Sequence, residues 1–268
     1  MDISVIILTW NSQKHIVRCV SSLLESLETS SLSFEIIIVD NGSTDGTKTT
    51  VGILEKNHPG HVKPVFLEKN TGTTYSRNIA LKQAEGEYLA VLDSDVEVPL
   101  GIFELLISKL KKDSTLGLVA PKLVYPSGSL QKSTDQFPTL FTKLKRLFFL
   151  KQIEKAEETE LKNDVTREVD YAISAFWLFP RKILQEVGYL DEKIFYAPED
   201  VDYCLRIRQH NYRILYEPSV SAIHYAQEIS RGLKLNRATI EHAKGLLYFF
   251  IKHRYLITKP FLKSTKGS

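Results

Sequence analysis

Four short apolar runs, each ending abruptly on polar residues, constrain the fold of this chain more than any other feature. They cover Ile3–Thr9 and residues 34–39, 62–67 and 88–92, with the sequences ISVIILT, FEIIIV, VKPVFL and YLAVL. Runs this short, rich in β-branched residues and bounded by turn formers, read as buried strands. Between them, residues 13–27, 47–56 and 73–84 carry helical patterns. In the first, Ile16, Cys19, Val20, Leu23, Leu24 and Leu27 fall on one face, with Ser12 as the expected N-cap. Strands that alternate with helices predict βαβ units and a parallel sheet with right-handed crossovers. Such sheets bind ligands outside the carboxyl ends of their strands. Here those ends are Thr9-Trp10-Asn11, Asp40-Asn41-Gly42-Ser43, Asn70-Thr71-Gly72 and Asp93-Ser94-Asp95. All are polar, two are acidic, and the topology brings them to one rim.

The fourth run is the most informative. Leu89-Ala90-Val91-Leu92 passes straight into Asp93-Ser94-Asp95. An unpaired carboxylate is too costly to bury, so the strand must open there onto solvent or a ligand. Two hard oxygen donors two residues apart suit a divalent cation that also holds phosphate oxygens. Taken alone, the pair fits a solvated turn equally well.

Beyond residue 98 the pattern is less regular. A helix is expected over 102–111, a strand over 116–121, and a hairpin or loop over 124–132 turning at Pro126-Ser127-Gly128. An apolar strand is expected over 171–179, and a short helix over Arg181–Val187 ended by Gly188. Residues 137–153 alternate bulky apolar residues with lysines, and 154–168 read as a charged, exposed excursion. Pro198-Glu199-Asp200-Val201-Asp202 opens a helix to about His210, where proline and acidic residues suit a first turn. Short strands are expected over 213–216 and 221–224, the second ending on His224, and an amphipathic helix over Arg237–His253. A lone histidine is more often a hydrogen-bonded core residue than a ligand, and acidic residues in a first helical turn need no catalytic role.

The 268 residues are enough for a full core, and 43% apolar with 25% charged residues is the balance of an ordinary globular protein. A net charge of +3 gives no bulk-charge case for a nucleic-acid partner. Basic residues concentrate at Lys143 to Arg146 and from Arg231 to Lys266. Cys19 and Cys204 are far apart and inside helical patterns. They read as small buried hydrophobes in a reducing compartment rather than as a disulfide framework. The run after Asp2 is too short for a signal peptide and no stretch is long enough to span a bilayer. The expected location is cytoplasmic, with peripheral attachment to the cytoplasmic membrane face through the C-terminal helix. Amphipathic basic helices can lie on anionic lipid; the same pattern also fits a helix packed on the core with solvated lysines.

Three blocks, DNGSTDGT at residues 40–47, DSD at 93–95 and FYAPEDVDYCLRIRQHNYRILYEPSVSAIH at 195–224, resemble the family 2 glycosyltransferases. These are inverting enzymes of the GT-A fold, and the likeness is strongest to the bacterial rhamnosyltransferase-like polysaccharide branch. A DxD alone would not be specific; the three blocks in this order and spacing are. The resemblance implies an α/β, Rossmann-like nucleotide-sugar-binding domain over 1–230, with a mostly parallel sheet and helices on both faces. Residues 1–97 would form its nucleotide-binding half and 98–230 its acceptor half, followed by a helical extension and basic tail over 231–268. It implies that Asp40 holds the nucleotide base, with Thr9, Asn11, Asn41, Ser43 and Ser94 lining the donor site and Arg77 near the phosphates. Asp93, Asp95 and His224 would hold Mg²⁺ or Mn²⁺ on the diphosphate. Asp200 matches the general base, with Glu199 beside it. The donor would be a nucleotide-diphosphate sugar, rhamnose being one candidate for the sugar, and the acceptor a hydroxyl on a glycan or lipid-linked molecule. Relatives often carry a glycine-rich run before Arg77 where this chain has residues 71–76. Gly or Phe often precedes their ED pair, where this chain has Ala197-Pro198.

The chemistry asks for these residue types in any case. Expelling a diphosphate needs a cation to stabilise the developing charge. An acceptor hydroxyl needs a carboxylate to take its proton. Inversion puts that carboxylate across the sugar from the leaving group. Two alternatives stand beside this reading. A haloacid dehalogenase-type phosphatase also uses a strand-end DxD, but three βα units precede this one and residues 40–47 would have no role. A non-catalytic module could bind nucleotide or glycan without turnover.

Overall fold

A computed structural model describes residues 1–139, 142, 165–226, 237–256 and 260. In chain order the elements are β1 Ile3–Thr9, α1 Ile16–Glu28, β2 Phe34–Asp40, α2 Thr47–Asn57, β3 Val62–Phe66, α3 Thr73–Gln83, β4 Tyr88–Asp93, β5 Val96–Glu97, α4 Ile102–Lys112, β6 Leu116–Val124, β7 Leu130–Gln131, β8 Thr134–Asp135, β9 Arg167–Glu168, β10 Tyr171–Ala172, β11 Phe176–Pro180, α5 Arg181–Val187, α6 Glu199–Gln209, β12 Arg213–His224 and α7 Arg237–His253. Most of the segments expected over 137–153 and 154–168, the basic cluster at Lys143 to Arg146 and most of the tail beyond residue 256 lie outside the described residues.

The main sheet has the order β3-β2-β1-β4-β11-β6-β12-β5. β1 pairs in parallel with β2 and β4, and β2 with β3, as the alternating pattern predicts. β6 and β12 are also parallel to each other. Between these two parallel blocks β11 runs antiparallel to both neighbours. Alternation along the central strands feeds two core layers. Ile3, Val5 and Ile7 face α1, α2 and α4. Ile6 and Ile37 face the other layer, where α3, α5, α6 and α7 pack. Each such fully buried Ile or Leu stabilises the fold by ~1.5–3 kcal/mol. The helix α7 belongs to this second layer through Phe249 and Phe250.

Three local readings change. The strand expected over 171–179 is split into β10 and β11 by a turn at Ser174-Ala175, because the Ser174 side chain is drawn to Arg77 and Glu199. The two strands expected over 213–224 are one, β12, with an irregularity between Glu217 and Ser221. There the buried Glu217 carboxylate accepts hydrogen bonds from the Ser219 N–H and Thr166 and pairs with Lys109. Ser12 does not cap α1, which begins at Ile16 after His15. Its N–H donates to Thr47 Oγ1 and its hydroxyl accepts from Ser94, so it ties β1, α2 and the 93–95 turn together instead. No helix among the described residues is long and apolar enough to cross a membrane.

Candidate active site

The strand ends meet as the topology requires. β4 delivers Asp93 at its carboxyl end, and the next turn carries Asp95. The last residue of β12, His224, lies opposite Val96 of β5. One oxygen or nitrogen from each of Asp93, Asp95 and His224 lies within 4.8 Å of the others. His224 Nε2 is 3.2 Å from Asp95 Oδ1 and 4.0 Å from Asp93 Oδ2. On its other side Nδ1 is 2.9 Å from Gln131 Oε1. A carbonyl oxygen can only accept, so Nδ1 carries the proton and Nε2 is aimed at the carboxylates. Burial works against a charged ring here, but the Asp95 hydrogen bond and the charges of Asp93 and Asp95 outweigh it and raise the His224 pKa. Two carboxylates and an imidazole nitrogen form a donor set that fits Mn²⁺ or Mg²⁺.

Behind this cluster lies Arg77 of α3, only 1% exposed. Its guanidinium donates to Asp93 Oδ1 at 2.6 Å and to Glu199 Oε1 at 3.2 Å. It also donates to Ser174 Oγ at 2.7 Å, and the Ser174 hydroxyl donates to Glu199 Oε1 at 2.8 Å. Arg77 thus spans from the 93–95 turn to the first residue of α6. The antiparallel direction of β11 makes this span complete: Phe176 pairs with Leu92, so Ser174, just before the strand, stands at the site rather than at the far end of the sheet. Burial pushes the Glu199 carboxyl up to about 8, with the Asp200 charge adding and Arg77 opposing. Asp200, next along α6, is half-buried and accepts from the Val201 N–H at 2.8 Å.

On the β1–β2 side, Thr9 and Asp40 are register partners. Both are fully buried. Asp40 Oδ1 accepts the Ser43 N–H at 3.0 Å, while Asp40 Oδ2 and Thr9 Oγ1 have no hydrogen-bond partner among the described residues. Leaving such groups unmet is costly, which is an argument that a ligand meets them. The other residues expected here hold loops. Asn11, at φ 51°, accepts the Thr44 N–H, and its own N–H donates to Ser43 Oγ. Asn41 donates to Asn70 Oδ1 and the Gly72 carbonyl and accepts from the Thr71 N–H. The Ser94 hydroxyl is turned to Ser12.

Ser174 and Gln131 were not anticipated from the sequence. A polar residue interrupting the apolar run YAISAFWLF was the available signal for Ser174. Gln131 sits in a two-residue strand that no periodicity marks. Cys19 and Cys204 are both buried free thiols whose pKa values burial raises.

A family model described as "Glycosyl transferase family 2" matches residues 4–188. Over 219 residues the chain is 29% identical to a poly-beta-1,6-N-acetyl-D-glucosamine synthase of Staphylococcus epidermidis, covering 81% of this chain and 48% of the synthase. This chain therefore spans about half the length of that relative. It is 23% identical over 278 residues to an N-acetylglucosaminyl-diphospho-decaprenol L-rhamnosyltransferase of Mycobacterium tuberculosis, covering 98% of this chain and 89% of the other. Among solved structures, GalNAc-T7 with UDP, GalNAc and Mn²⁺ superposes with a TM-score of 0.70 at 19% identity, covering 94% of this chain and 48% of that one. The mannosyltransferase PcManGT of Pyrobaculum calidifontis with GDP-Man and Mn²⁺ gives 0.65 at 19% identity, covering 96% and 65%. At that identity the structural likeness carries the GT-A fold alone.

Proposed function

Since this chain belongs to glycosyl transferase family 2, we propose that it is a metal-dependent, inverting glycosyltransferase. Its donor is a nucleotide-diphosphate sugar and its acceptor a hydroxyl on a glycan or lipid-linked molecule, in the synthesis of a cell-surface polysaccharide. The observation that carries this reading is the cluster of Asp93, Asp95 and His224 at the carboxyl rim of the sheet. The relatives named as a poly-beta-1,6-N-acetyl-D-glucosamine synthase and as an N-acetylglucosaminyl-diphospho-decaprenol L-rhamnosyltransferase support the substrate class, and the second makes rhamnose one candidate sugar. Residues 1–97 serve as the donor half and 98–230 as the acceptor half.

Asp93, Asp95 and His224 would hold Mg²⁺ or Mn²⁺, which when bound stabilises the negative charge of a departing nucleoside diphosphate. Gln131 keeps the His224 Nε2 lone pair directed at that position. Asp40 Oδ2 and Thr9 Oγ1 are buried and have no partner among the described residues, and they suit the N–H and carbonyl groups of a nucleobase. Arg77 donates to Asp93 and to Glu199 and fixes one against the other; it acts on the donor through Asp93. Asp200, half-buried at the start of α6, takes the proton of the acceptor hydroxyl. The dehalogenase-type reading gives no use to Asp40 and is set aside by the family match.

Binding of UDP and GDP with Mn²⁺, followed by transfer assays over a panel of nucleotide sugars, tests the proposal. Asp95→Asn should weaken Mn²⁺-dependent nucleotide binding by roughly 10-fold or more. Asp200→Asn should leave that binding intact and lower transfer by ~10²–10⁴-fold. A wild-type protein that binds nucleotide but turns over no donor would support the binding module instead.

A further inference from the structure

The segment that leads into α6 is held by two glycines from distant parts of the chain. Gly72 precedes α3 at φ 90°, and a Cβ there would lie 2.4 Å from the Phe195 carbonyl oxygen. The N–H of Thr73 donates to that same oxygen at 2.7 Å. Gly245, buried in the middle of α7, makes an approach as close. A Cβ on it would lie 2.1 Å from the Ala197 carbonyl oxygen and 3.3 Å from Pro198 Cδ. The two helices therefore touch the same short loop, one on each side of Tyr196 in sequence.

Beyond Gly245 the grip of α7 continues in charge. Asp202 of α6 is 1% exposed and accepts from Lys252 Nζ at 2.6 Å and from His253 Nε2 at 2.7 Å. Asp191, ahead of the loop, accepts from Tyr248 Oη at 2.9 Å and from Lys252 Nζ at 2.7 Å. So α7 fastens this stretch of chain at residues 191, 197 and 202, on both sides of Asp200. None of its residues lies within the span that the family model matches.

We propose that α7 is a positioning element of the active site, and that Gly245 lets it lie on the Ala197–Pro198 segment and so fix where α6 presents Asp200. The inference rests on the reading of Asp200 as the base. Ordinary carbon contacts begin at 3.4 Å, so a methyl group at residue 245 must push the loop or the helix aside by about 1 Å. A displacement of that size at a group that must meet an acceptor hydroxyl costs on the order of 10²-fold in rate.

The test compares wild type with Gly245→Ala in the full chain. Transfer kcat should fall by roughly 10- to 100-fold, while donor KM and Mn²⁺-dependent nucleotide binding stay unchanged. Deuterium uptake should rise over residues 194–202 and not over 88–96. Gly52→Ala is the control, because nothing lies within 4 Å of a Cβ there; it should leave kcat unaltered. A folded Gly245→Ala with wild-type kcat and exchange overturns the proposal. Should Gly245→Ala fail to fold, Lys252→Met with His253→Gln loosens the same helix from its other end and is judged by the same split between kcat and donor KM. Should wild type transfer no sugar at all, the glycosyltransferase reading fails. The exchange measurement then decides separately whether α7 holds the loop: unchanged uptake over 194–202 in both variants overturns it, and raised uptake supports it.

Discussion

Gln131 and His224 show how much of this site depends on a group that would never touch substrate. His224 has an Nε2 lone pair to offer a cation only while Nδ1 keeps its proton, and that N–H donates to the Gln131 carbonyl oxygen, with Nδ1 and Oε1 2.9 Å apart. Gln131→Leu removes the acceptor without adding bulk at an exposed surface, since Gln131 is itself buried. The expected result is a loss of ~10- to 100-fold in Mn²⁺ affinity, measured by calorimetric titration, with the far-UV spectrum unchanged. An unaltered affinity would mean that Asp93 and Asp95 suffice. At this scale the sequence was legible where a motif ends a strand: Asp40, Asp93 and His224 do, and Asp95 sits in the turn that follows Asp93. It was not legible where a residue acts from a distant segment. Arg77 was expected near phosphate; its guanidinium also donates to Asp93, Glu199 and Ser174. Two of those partners are 97 and 122 residues away, a distance that no local pattern reports.

Among the elements, α7 and α6 are joined through a buried acid, Asp202. Burial works against the Asp202 carboxylate, but hydrogen bonds from His253 and Lys252 and the charge of Arg206 bring its pKa down to about 2 from 3.8. A carboxylate held below its unfolded value stabilises the fold fully above that value, and the contribution is lost as pH falls through the folded one. The shift corresponds to about 2 kcal/mol. The stability difference between wild type and Asp202→Asn, from urea unfolding, should therefore hold steady above about pH 5 and shrink by roughly 2 kcal/mol as pH approaches 2. A difference independent of pH would show that Asp202 does not clamp α7. The helix was readable as a helix, with bounds that match the 3.6-residue pattern. Packing on the core was one of its two readings, but the place where it docks was not legible, although Gly245 gave a hint: a glycine in a helix interior costs ~1 kcal/mol relative to alanine and calls for a packing reason. Likewise the apolar richness of residues 171–179 marked a strand but not its direction, and antiparallel β11 is what puts Ser174 at the site.

At the scale of the whole molecule, α7 turns an apolar stripe outward among the described residues. Ile240, Leu247 and Ile251 stand at i, i+7 and i+11 of α7, within about 40° of arc on a helical wheel. They are 46%, 63% and 66% exposed, directly opposite Phe249, which is fully buried in the core. The sequence offered two uses for this helix, packing on the core or lying on lipid, and the geometry has room for both because they need opposite faces. Lys244, 67% exposed and within reach of Glu241, borders the outward stripe, and the following residues 257–268 add Lys259, Lys263 and Lys266 with no acidic residue. An acceptor carried on a lipid would bring the enzyme to a surface where such a face is stabilised, each immersed Ile or Leu contributing at most ~1.5–3 kcal/mol and the lysines adding attraction to anionic headgroups. Wild type should therefore float with phosphatidylglycerol vesicles, less so as salt is raised. Replacing Ile240, Leu247 and Ile251 together by Gln should leave it at the bottom of the gradient with its thermal stability intact, because none of the three belongs to the buried core. Wild type that stays at the bottom with these vesicles at low salt would remove lipid from the list of partners and leave the stripe as plain solvent-facing surface.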